Sequence, residues 1–291
     1  MKSLRLITFS AAALCAAGPA LAADYRAPIY KAPPPPPPVV EATWSGFYVG
    51  MDAGGSLGQH RTNDTGIYNG TFGVGNVQLF NESFNHYLQG AILGAQAGYN
   101  WQLAPRWAAG VETDWQWSGQ KDTACVFSCG NTTVSFFGPG GAGFNTSLTD
   151  EQRLRWFGTA RARFGYATPA YWIYATGGLA YGRIESQLNF TAQNVVAALF
   201  VPGSTVTDFS HTRVGWTVGG GIETHLWDAW SAKIEYLYVD LGSVNDSFTI
   251  AGGTTLPGST FTVASHYDMK DHIIRAGLNY RFGSGPVVAR Y

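Results

Sequence analysis

The sequence has 291 residues, of which 45% are hydrophobic, 14% are aromatic and only 13% are charged. An average soluble domain carries roughly 25% charged residues, so this charge content is about half the usual value. Disordered chains lack aromatic residues, and a formal net charge of −1 gives no footprint for nucleic acid. No apolar run after residue 22 reaches the roughly 20 residues of a membrane-spanning helix. These exclusions leave a β-rich protein whose apolar residues are dispersed along the sequence.

Residues 1–22 are predicted to be a cleaved signal peptide. Lys2 and Arg5 precede a short apolar stretch, and a small-x-small cleavage site ends at Ala22. A membrane anchor is the alternative, but the apolar core is short and Pro19 interrupts it just before the cleavage site. Cleavage implies export and leaves a mature chain that begins at residue 23.

Residues 23–43 are predicted to be a Pro-rich periplasmic linker. Six consecutive prolines, residues 33–38, favour a stiff polyproline II spacer. The alternative is a docking site for a partner with an aromatic groove. We expect residues 44–282 to form the folded domain and residues 283–291 to be a C-terminal tail.

Eight segments after residue 44 alternate in character with a period of two residues, which is typical of β-strands whose successive side chains point to opposite faces. The segments begin at Phe47, Gly90, Trp107, Arg153, Tyr171, Arg213, Trp230 and Ile273. In the fourth segment, four arginines share the face that opposes the apolar one: Arg153, Arg155, Arg161 and Arg163.

Short and long connections alternate between these segments. The short ones lie around Pro105, at residues 167–170 and around Asp228. The long ones are rich in Gly, Asn, Ser and Thr and cover roughly residues 56–88, 119–151, 186–211 and 243–266. This asymmetry is typical of outer-membrane barrels. We therefore predict an all-β fold, an eight-stranded antiparallel up-and-down transmembrane β-barrel with short periplasmic turns and long extracellular loops.

Tryptophans gather next to the short turns and the start of the first strand, where amphipathic rings favour a membrane interface. The predicted interface aromatics are Trp44, Trp101, Trp107, Trp172, Trp227 and Trp230.

The polar face must line the interior, because backbone groups in lipid have to be paired within a closed sheet. Glu223 and Lys233 are equidistant from Asp228, and Glu112 and Arg161 lie at about equal depth on neighbouring strands. We predict that both are interior ion pairs, since an eight-stranded barrel leaves little free lumen. The alternative is a selective aqueous path.

Two cysteines remain after export, Cys125 and Cys129. In an oxidising compartment thiols this close favour a local disulfide. A metal site is not expected, because no third or fourth Cys or His lies nearby. The sequence contains no H-E-x-x-H motif, and we expect no catalytic residues, no enzymatic activity and no cofactor.

The segments WSGFYVG, ATGGLAYG, EYLYVDLG and RAGLNYRF resemble the alphaproteobacterial outer-membrane immunogenic protein family. These are porin-family small barrels of the OmpA-like transmembrane-domain superfamily. The resemblance spans roughly residues 44–282 and implies an abundant, surface-exposed structural protein. Some members are linked to envelope integrity, host interaction or haem binding. Four residues also match the pattern that the barrel-assembly machinery reads in such proteins: Arg275, Gly277, Tyr280 and Phe282.

We therefore expect a structural protein and surface antigen of the Gram-negative outer membrane, exposed through four long loops, that supports envelope integrity and surface interactions. A narrow porin-type channel for small solutes is the alternative. The expected partners are outer-membrane lipid and lipopolysaccharide, the barrel-assembly machinery, and host or extracellular ligands at the loops. Nucleic acid is not expected.

Overall fold

The computed structural model describes residues 43–70, 76–127, 129, 134–135, 143–193, 203–251 and 258–282. The predicted signal peptide, the predicted tail and all but the last residue of the predicted linker lie outside these ranges. Their boundaries stay predictions. Within the described ranges, no helix is long and apolar enough to cross a membrane.

The described chain forms antiparallel strands in a closed ring. The strands are β1 Gly46–Asn69, β2 Val77–Ala104, β3 Trp107–Phe127, β4 Val134–Ser135, β5 Gly143–Ala167, β6 Tyr171–Gln193, β7 Gly203–His225, β8 Trp230–Ala251 and β9 Thr260–Arg281. Each long strand pairs with the next long strand along the chain, so that β3 lies beside β5, and β1 pairs with β9 to close the ring. β4 adds two residues beside β5. The eight long strands confirm the predicted fold class.

Three short turns lie at one end of the ring, which we call the turn end. They fall at Pro105-Arg106, at residues 168–170 and at residues 226–229, as predicted. Asp228 adopts a positive φ of 46°, a conformation that Asp tolerates better than most residues. β1 begins and β9 ends at this same end, where Tyr48 pairs with Arg281.

The strands continue through most of the regions predicted as long loops, so those loop boundaries are wrong. β1 and β2, for example, stay paired as far as Tyr68 and Val77. Gly, Asn, Ser and Thr are common in loops, but here they occupy alternating inward and outward positions on extended backbone. The loop-like composition of these regions therefore hid their period-two alternation, which the backbone pairing in the structure shows. The opposite end of the ring, where β1 ends, is called the far end below.

Large apolar side chains that face outward are concentrated within about ten or eleven residues of the turn end. Met51, Trp117, Leu179 and Ile234 are each at least 60% exposed. At about 2.5 Å of height per residue in a strand tilted by roughly 40°, they form a band about 25 Å tall, the thickness that an outer-membrane barrel presents to lipid. We take these parts of the strands as the membrane-spanning segments. The remainder of each long strand projects beyond them.

A stretch of the wall between β7 and β8 lacks backbone pairing, and we call it the seam. β7 and β8 pair only from Trp216↔Asp240 down to His225↔Ser231. A β-bulge between Asp240 and Ser243 marks the point of separation, since bulges bend a strand. Toward the far end, the hydrogen bonds between the described residues of the two strands each involve a side chain. His211 Nε2 lies 2.6 Å from Asp246 Oδ1, and Arg213 donates to the carbonyl of Ser243.

We predict fast amide exchange along the seam. In residues 204–215 and 243–251, alternate amides point toward a strand with which they do not pair. They should exchange deuterium faster than amides in residues 62–67 of β1, which pairs on both sides. Exchange mass spectrometry of the refolded protein in detergent micelles tests this. Equal protection of the two regions would show that the seam is closed in solution.

Candidate functional site

The side chains inside the ring form layers, which we name from the turn end upward. The aromatic floor contains Trp44, Ala108, Ala167, Trp172 and Tyr174. The charge network contains Asp52, Glu112, Asp114, Arg161, Arg163, Glu223, Lys233, Glu235 and Arg275. The middle apolar layer includes Ile92, Leu154, Phe157, Leu237, Leu241 and Ile273. The distal polar cluster contains Asp64, His86, Asp150, Gln152 and Ser186. The distal apolar cluster includes Phe80, Leu148, Phe248 and Val263.

Trp44 closes the floor from a position just before β1. Its indole Nε1 donates to the carbonyl of Thr168 at 2.7 Å, and its ring stacks on His225 with centroids 4.1 Å apart. The Arg281 guanidinium lies over the Trp44 indole, 5.0 Å from the ring centroid. Arg281 also donates to the carbonyl of Thr43 at 2.6 Å. Trp44 is thereby fixed inside the ring.

The predicted interface role is therefore wrong for Trp44 and Trp172, which are 1% and 0% exposed. Trp44 precedes β1, where strand alternation does not apply. Trp172 lies two residues from inward-facing Tyr174 on the same face of β6, and the guanidinium of Arg163 lies 4.8 Å from its ring centroid. The other four predicted residues face outward near the turn end: Trp101, Trp107, Trp227 and Trp230.

Glu112 is the hub of the charge network. Its carboxylate accepts hydrogen bonds from Lys233 Nζ at 2.9 and 3.0 Å and from Tyr48 Oη at 2.6 Å. Arg161 Nη2 donates to it from the neighbouring strand, and Arg163 Nη1 lies 3.1 Å away. Glu112 and Arg161 are direct cross-strand partners, in the arrangement that the sequence predicts.

Glu223 and Lys233 are also opposite each other across β7 and β8, but they do not bond. The long Lys233 side chain reaches across the lumen to Glu112. Glu223 instead accepts hydrogen bonds from Ser231 Oγ at 2.5 Å and Asn279 Nδ2 at 2.9 Å. Register is thus predictable from the turn, whereas contacts across the lumen depend on the closed ring.

A second centre of the network is Arg275, which is fully buried. It donates to Glu235 Oε2 from Nε at 2.9 Å and from Nη2 at 2.6 Å, and to Asp114 Oδ2 at 2.8 Å. Arg161 Nη1 donates to the other oxygen of Glu235 at 2.9 Å. Carboxylates and guanidinium groups from several strands therefore neutralise one another within the membrane-spanning part of the barrel.

The other residues of the predicted assembly signal lie along β9 and just after it. A Cβ at Gly277 would stand 3.1 Å from Gln96 Nε2, so the position suits a residue without a side chain. Tyr280 and Phe282 face outward at the turn end, with ring centroids 5.1 Å apart. Arg275 belongs to the charge network. Recognition of these residues by the assembly machinery stays a prediction.

Cys125 and Cys129 are joined by a disulfide where β3 ends at the far end. It closes a short loop well beyond the membrane-spanning segments. In the part of the chain that the structure describes, no group of three or more His, Cys, Asp or Glu residues could hold a metal ion.

The distal polar cluster was not predicted as a site, because its residues fall in regions that the sequence suggests are loops. His86 Nδ1 lies 3.0 Å from Asp122 Oδ2, and His86 Nε2 lies 3.4 Å from Asp150 Oδ2. Asp150 also accepts hydrogen bonds from Gln152 and Ser186, both at 2.9 Å. Strands that extend past the membrane bring these polar groups inside the ring.

Two groups of this cluster, which stands beyond the membrane-spanning segments, have shifted pKa values. Burial raises the pKa of Asp64 to about 7, and the nearby Asp150 carboxylate acts in the same direction. Burial lowers the pKa of His86, but hydrogen bonds and charge from Asp150 and Asp122 outweigh it, so this pKa lies above its usual value. Folding therefore shifts His86 toward its protonated form and Asp64 toward its neutral form.

The enclosed space beside His60, Phe157, Met269 and Asp271 amounts to about 10 Å³, roughly what one water molecule needs.

Comparison with known proteins places this architecture in a family. The family model for the outer membrane protein beta-barrel domain matches residues 8–282. The chain belongs to this family. A 31 kDa outer-membrane immunogenic protein of Brucella melitensis is 33% identical over 288 residues, which cover 97% of this chain and 100% of the relative. A 22 kDa outer membrane protein of Rhizobium leguminosarum is 27% identical, over 69% of this chain and 66% of the relative. The resemblance read from the sequence motifs is thus confirmed, and so is outer-membrane localisation.

Two solved structures are also similar to the chain. Neisserial surface protein A matches with a TM-score of 0.32 and 13% identity, over 82% of this chain and 98% of that chain. The outer membrane protease OmpT of Escherichia coli matches with a TM-score of 0.42 and 12% identity, over 81% and 97%.

Replacing the hub of the charge network should destabilise the barrel strongly. Glu112→Gln leaves Lys233, Arg161 and Arg163 without their shared counter-charge, a loss that costs about 3–5 kcal/mol for a buried ion pair. Urea unfolding of the protein refolded in detergent, followed by the gel mobility of folded and unfolded forms, measures the free energy of unfolding. Glu82→Gln, which changes an exposed carboxylate near the far end, should shift it by less than about 0.5 kcal/mol. Equal effects of the two variants would contradict the hub role.

The buried carboxyl group of Asp64 should make stability depend on pH. Its pKa is raised in the folded state, so its contribution to stability is complete below the unfolded value of about 3.9 and is lost as pH rises to about 7. The free energy of unfolding of Asp64→Asn, taken relative to that of the unsubstituted protein, should therefore rise from pH 4 to pH 8. Urea unfolding at both pH values measures this difference. Asp208→Asn, at an exposed position, is the control and should show no such change.

Proposed function

We propose that the protein is a closed, non-conducting structural barrel of the outer membrane, with its turn end in the periplasm and its far end at the cell surface. The observation that carries this proposal is the charge network, which crosses the lumen inside the membrane-spanning segments. Glu112, Arg161, Arg163, Lys233 and Arg275 are each at most 3% exposed. A solute would have to separate these ion pairs to pass.

The energetic cost of such passage supports the closed state. Removing one partner from a buried ion pair costs about 3–5 kcal/mol, because the remaining charge is left uncompensated at low dielectric. The aromatic floor lies on one side of the network, and the middle apolar layer lies on the other. A narrow channel, the alternative function, would need a continuous polar path through all three.

The far half of the barrel supports a role at the cell surface. Its strands continue well beyond the apolar band, and their outward positions carry polar side chains such as Gln59, Arg61, Thr123 and Asp208. The names of the Brucella relatives describe immunogenic outer-membrane proteins, which is in keeping with surface display. The proposal gives the buried carboxylates and His86 a structural role, and it assigns host or extracellular ligands to the far end.

The refolded protein should give no conductance steps in a planar lipid bilayer, whereas a known general porin measured in parallel should. Trp44→Ala should be silent as well, because the charge network and the middle apolar layer remain above the floor. Steps in the unsubstituted protein would overturn the closed-barrel proposal in favour of a channel. Steps in Trp44→Ala alone would show that the aromatic floor by itself is the seal.

A further inference from the structure

A polar patch lies on the outer wall where β5, β6 and β7 leave the membrane-spanning segments. It surrounds a surface cavity of about 350 Å³ whose lining includes Arg153, Arg155, Arg183, Glu185 and Ser210. These residues lie about 12 to 15 residues from the turn ends of their strands. At about 2.5 Å of height per residue, the patch begins just beyond the 25 Å apolar band.

A β-bulge creates this patch and corrects the expectation for two of the four arginines. The pairing of β5 with β6 shifts between Leu154 and Trp156, which inserts Arg155 as an extra residue. Leu154 and Phe157 both face inward, and the two residues between them face outward. The bulge reverses the phase of the alternation, so Arg153 and Arg155 lie on the outer wall while Arg161 and Arg163 stay inside.

The patch is ordered by chemistry along the barrel axis. Tyr181 lies on the membrane side. The next row sets Trp117, Trp156 and Arg183 side by side, and the inserted Arg155 follows it. Cross-strand pairing then sets Lys121, Arg153, Glu185 and Ser210 side by side in one row. Glu151, Gln187 and Asp208 form the following row, away from the membrane. The four cations thus lie on the membrane side of Glu151 and Asp208, while Glu185 lies among them and pairs with Arg155 and Arg183.

The two membrane-side arginines are held in place by their Nε atoms. Arg155 Nε donates to Glu185 Oε2 at 2.6 Å, and Arg183 Nε donates to Ser210 Oγ at 2.9 Å. Both side chains are about half exposed. Among the described residues, their Nη atoms have no hydrogen-bonding partner, so each fork is oriented by the protein and open to a ligand.

We propose that this patch binds a phosphate group of the glycolipid in the outer leaflet, the headgroup phosphate of lipopolysaccharide. Arg155 and Arg183 would donate from Nη, and the aromatic residues below them would contact the sugar and the start of the acyl chains. Guanidinium forks match phosphate geometry and form charge-assisted hydrogen bonds. Basic side chains at a membrane surface are also attracted to anionic headgroups. The inference rests on the proposed orientation with the far end outside.

The test compares Arg155→Gln/Arg183→Gln with a control of equal charge change, Arg61→Gln/Arg106→Gln. Arg61 lies on the opposite wall, and Arg106 lies in a periplasmic turn under the proposed orientation. Native mass spectrometry of each refolded protein, titrated with diphosphorylated lipid A in detergent, gives the apparent Kd. We expect the patch variant to bind roughly tenfold or more weakly, since it loses two charge-assisted hydrogen bonds, and the control to bind like the unsubstituted protein.

Two further ligands identify the chemistry and the source of the anion. Dephosphorylated lipid A should bind the unsubstituted protein and the patch variant equally weakly. Equal binding of diphosphorylated lipid A by both double variants would overturn the proposal. So would binding of a soluble sulfated oligosaccharide as tightly as lipid A, because the patch would then be a site for extracellular polyanions. Conductance is measured separately, so failure of the closed-barrel proposal is distinguishable from failure of this one.

Discussion

The pairing of β1 with β9 is the constraint on which the rest of this structure depends. In lipid no water is present to satisfy an open sheet edge, so every backbone donor and acceptor must find a partner within the protein. Register between the first and last strands, with Tyr48 opposite Arg281, completes the ring in the membrane-spanning part. Beyond the lipid this requirement no longer holds, because water can satisfy unpaired backbone groups. Backbone pairing around the ring can therefore be incomplete there. The seam between β7 and β8 begins where the apolar band ends, at Trp216 and Asp240.

Closure with eight strands also dictates what the interior must do. The lumen of such a ring is about as wide as the side chains that fill it, and its residues come from the polar face of each strand. Charged side chains buried there are tolerable only when paired. Glu112 meets partners from β1, β5 and β8, so opposite charges from distant parts of the chain compensate one another. Stability and closure of the lumen thus have the same physical origin.

The sequence predicts the features that depend on neighbours in the chain. The short turns and the apolar alternation beside them give the strand order and the registers of Glu112 with Arg161 and Glu223 with Lys233. Features that depend on the closed ring were missed. The reach of Lys233 to Glu112 crosses the lumen, and the burial of Trp44 involves Thr168, 124 residues away. The bulge at Arg155 was missed because one inserted residue reverses the facing of those beyond it, and no local motif announces it.

The docking of Trp44 has a consequence for how the barrel folds. Its indole contacts the turn between β5 and β6, the end of β7 at His225 and the end of β9 at Arg281. Loop-closure entropy makes contacts of such sequence separation late events in folding. No partial barrel that lacks β9 can complete this binding site, so Trp44 is fixed only when the last strand has joined the first. A tryptophan at the start of the folded domain is therefore fixed in place only by the final step of assembly, at the other end of that domain.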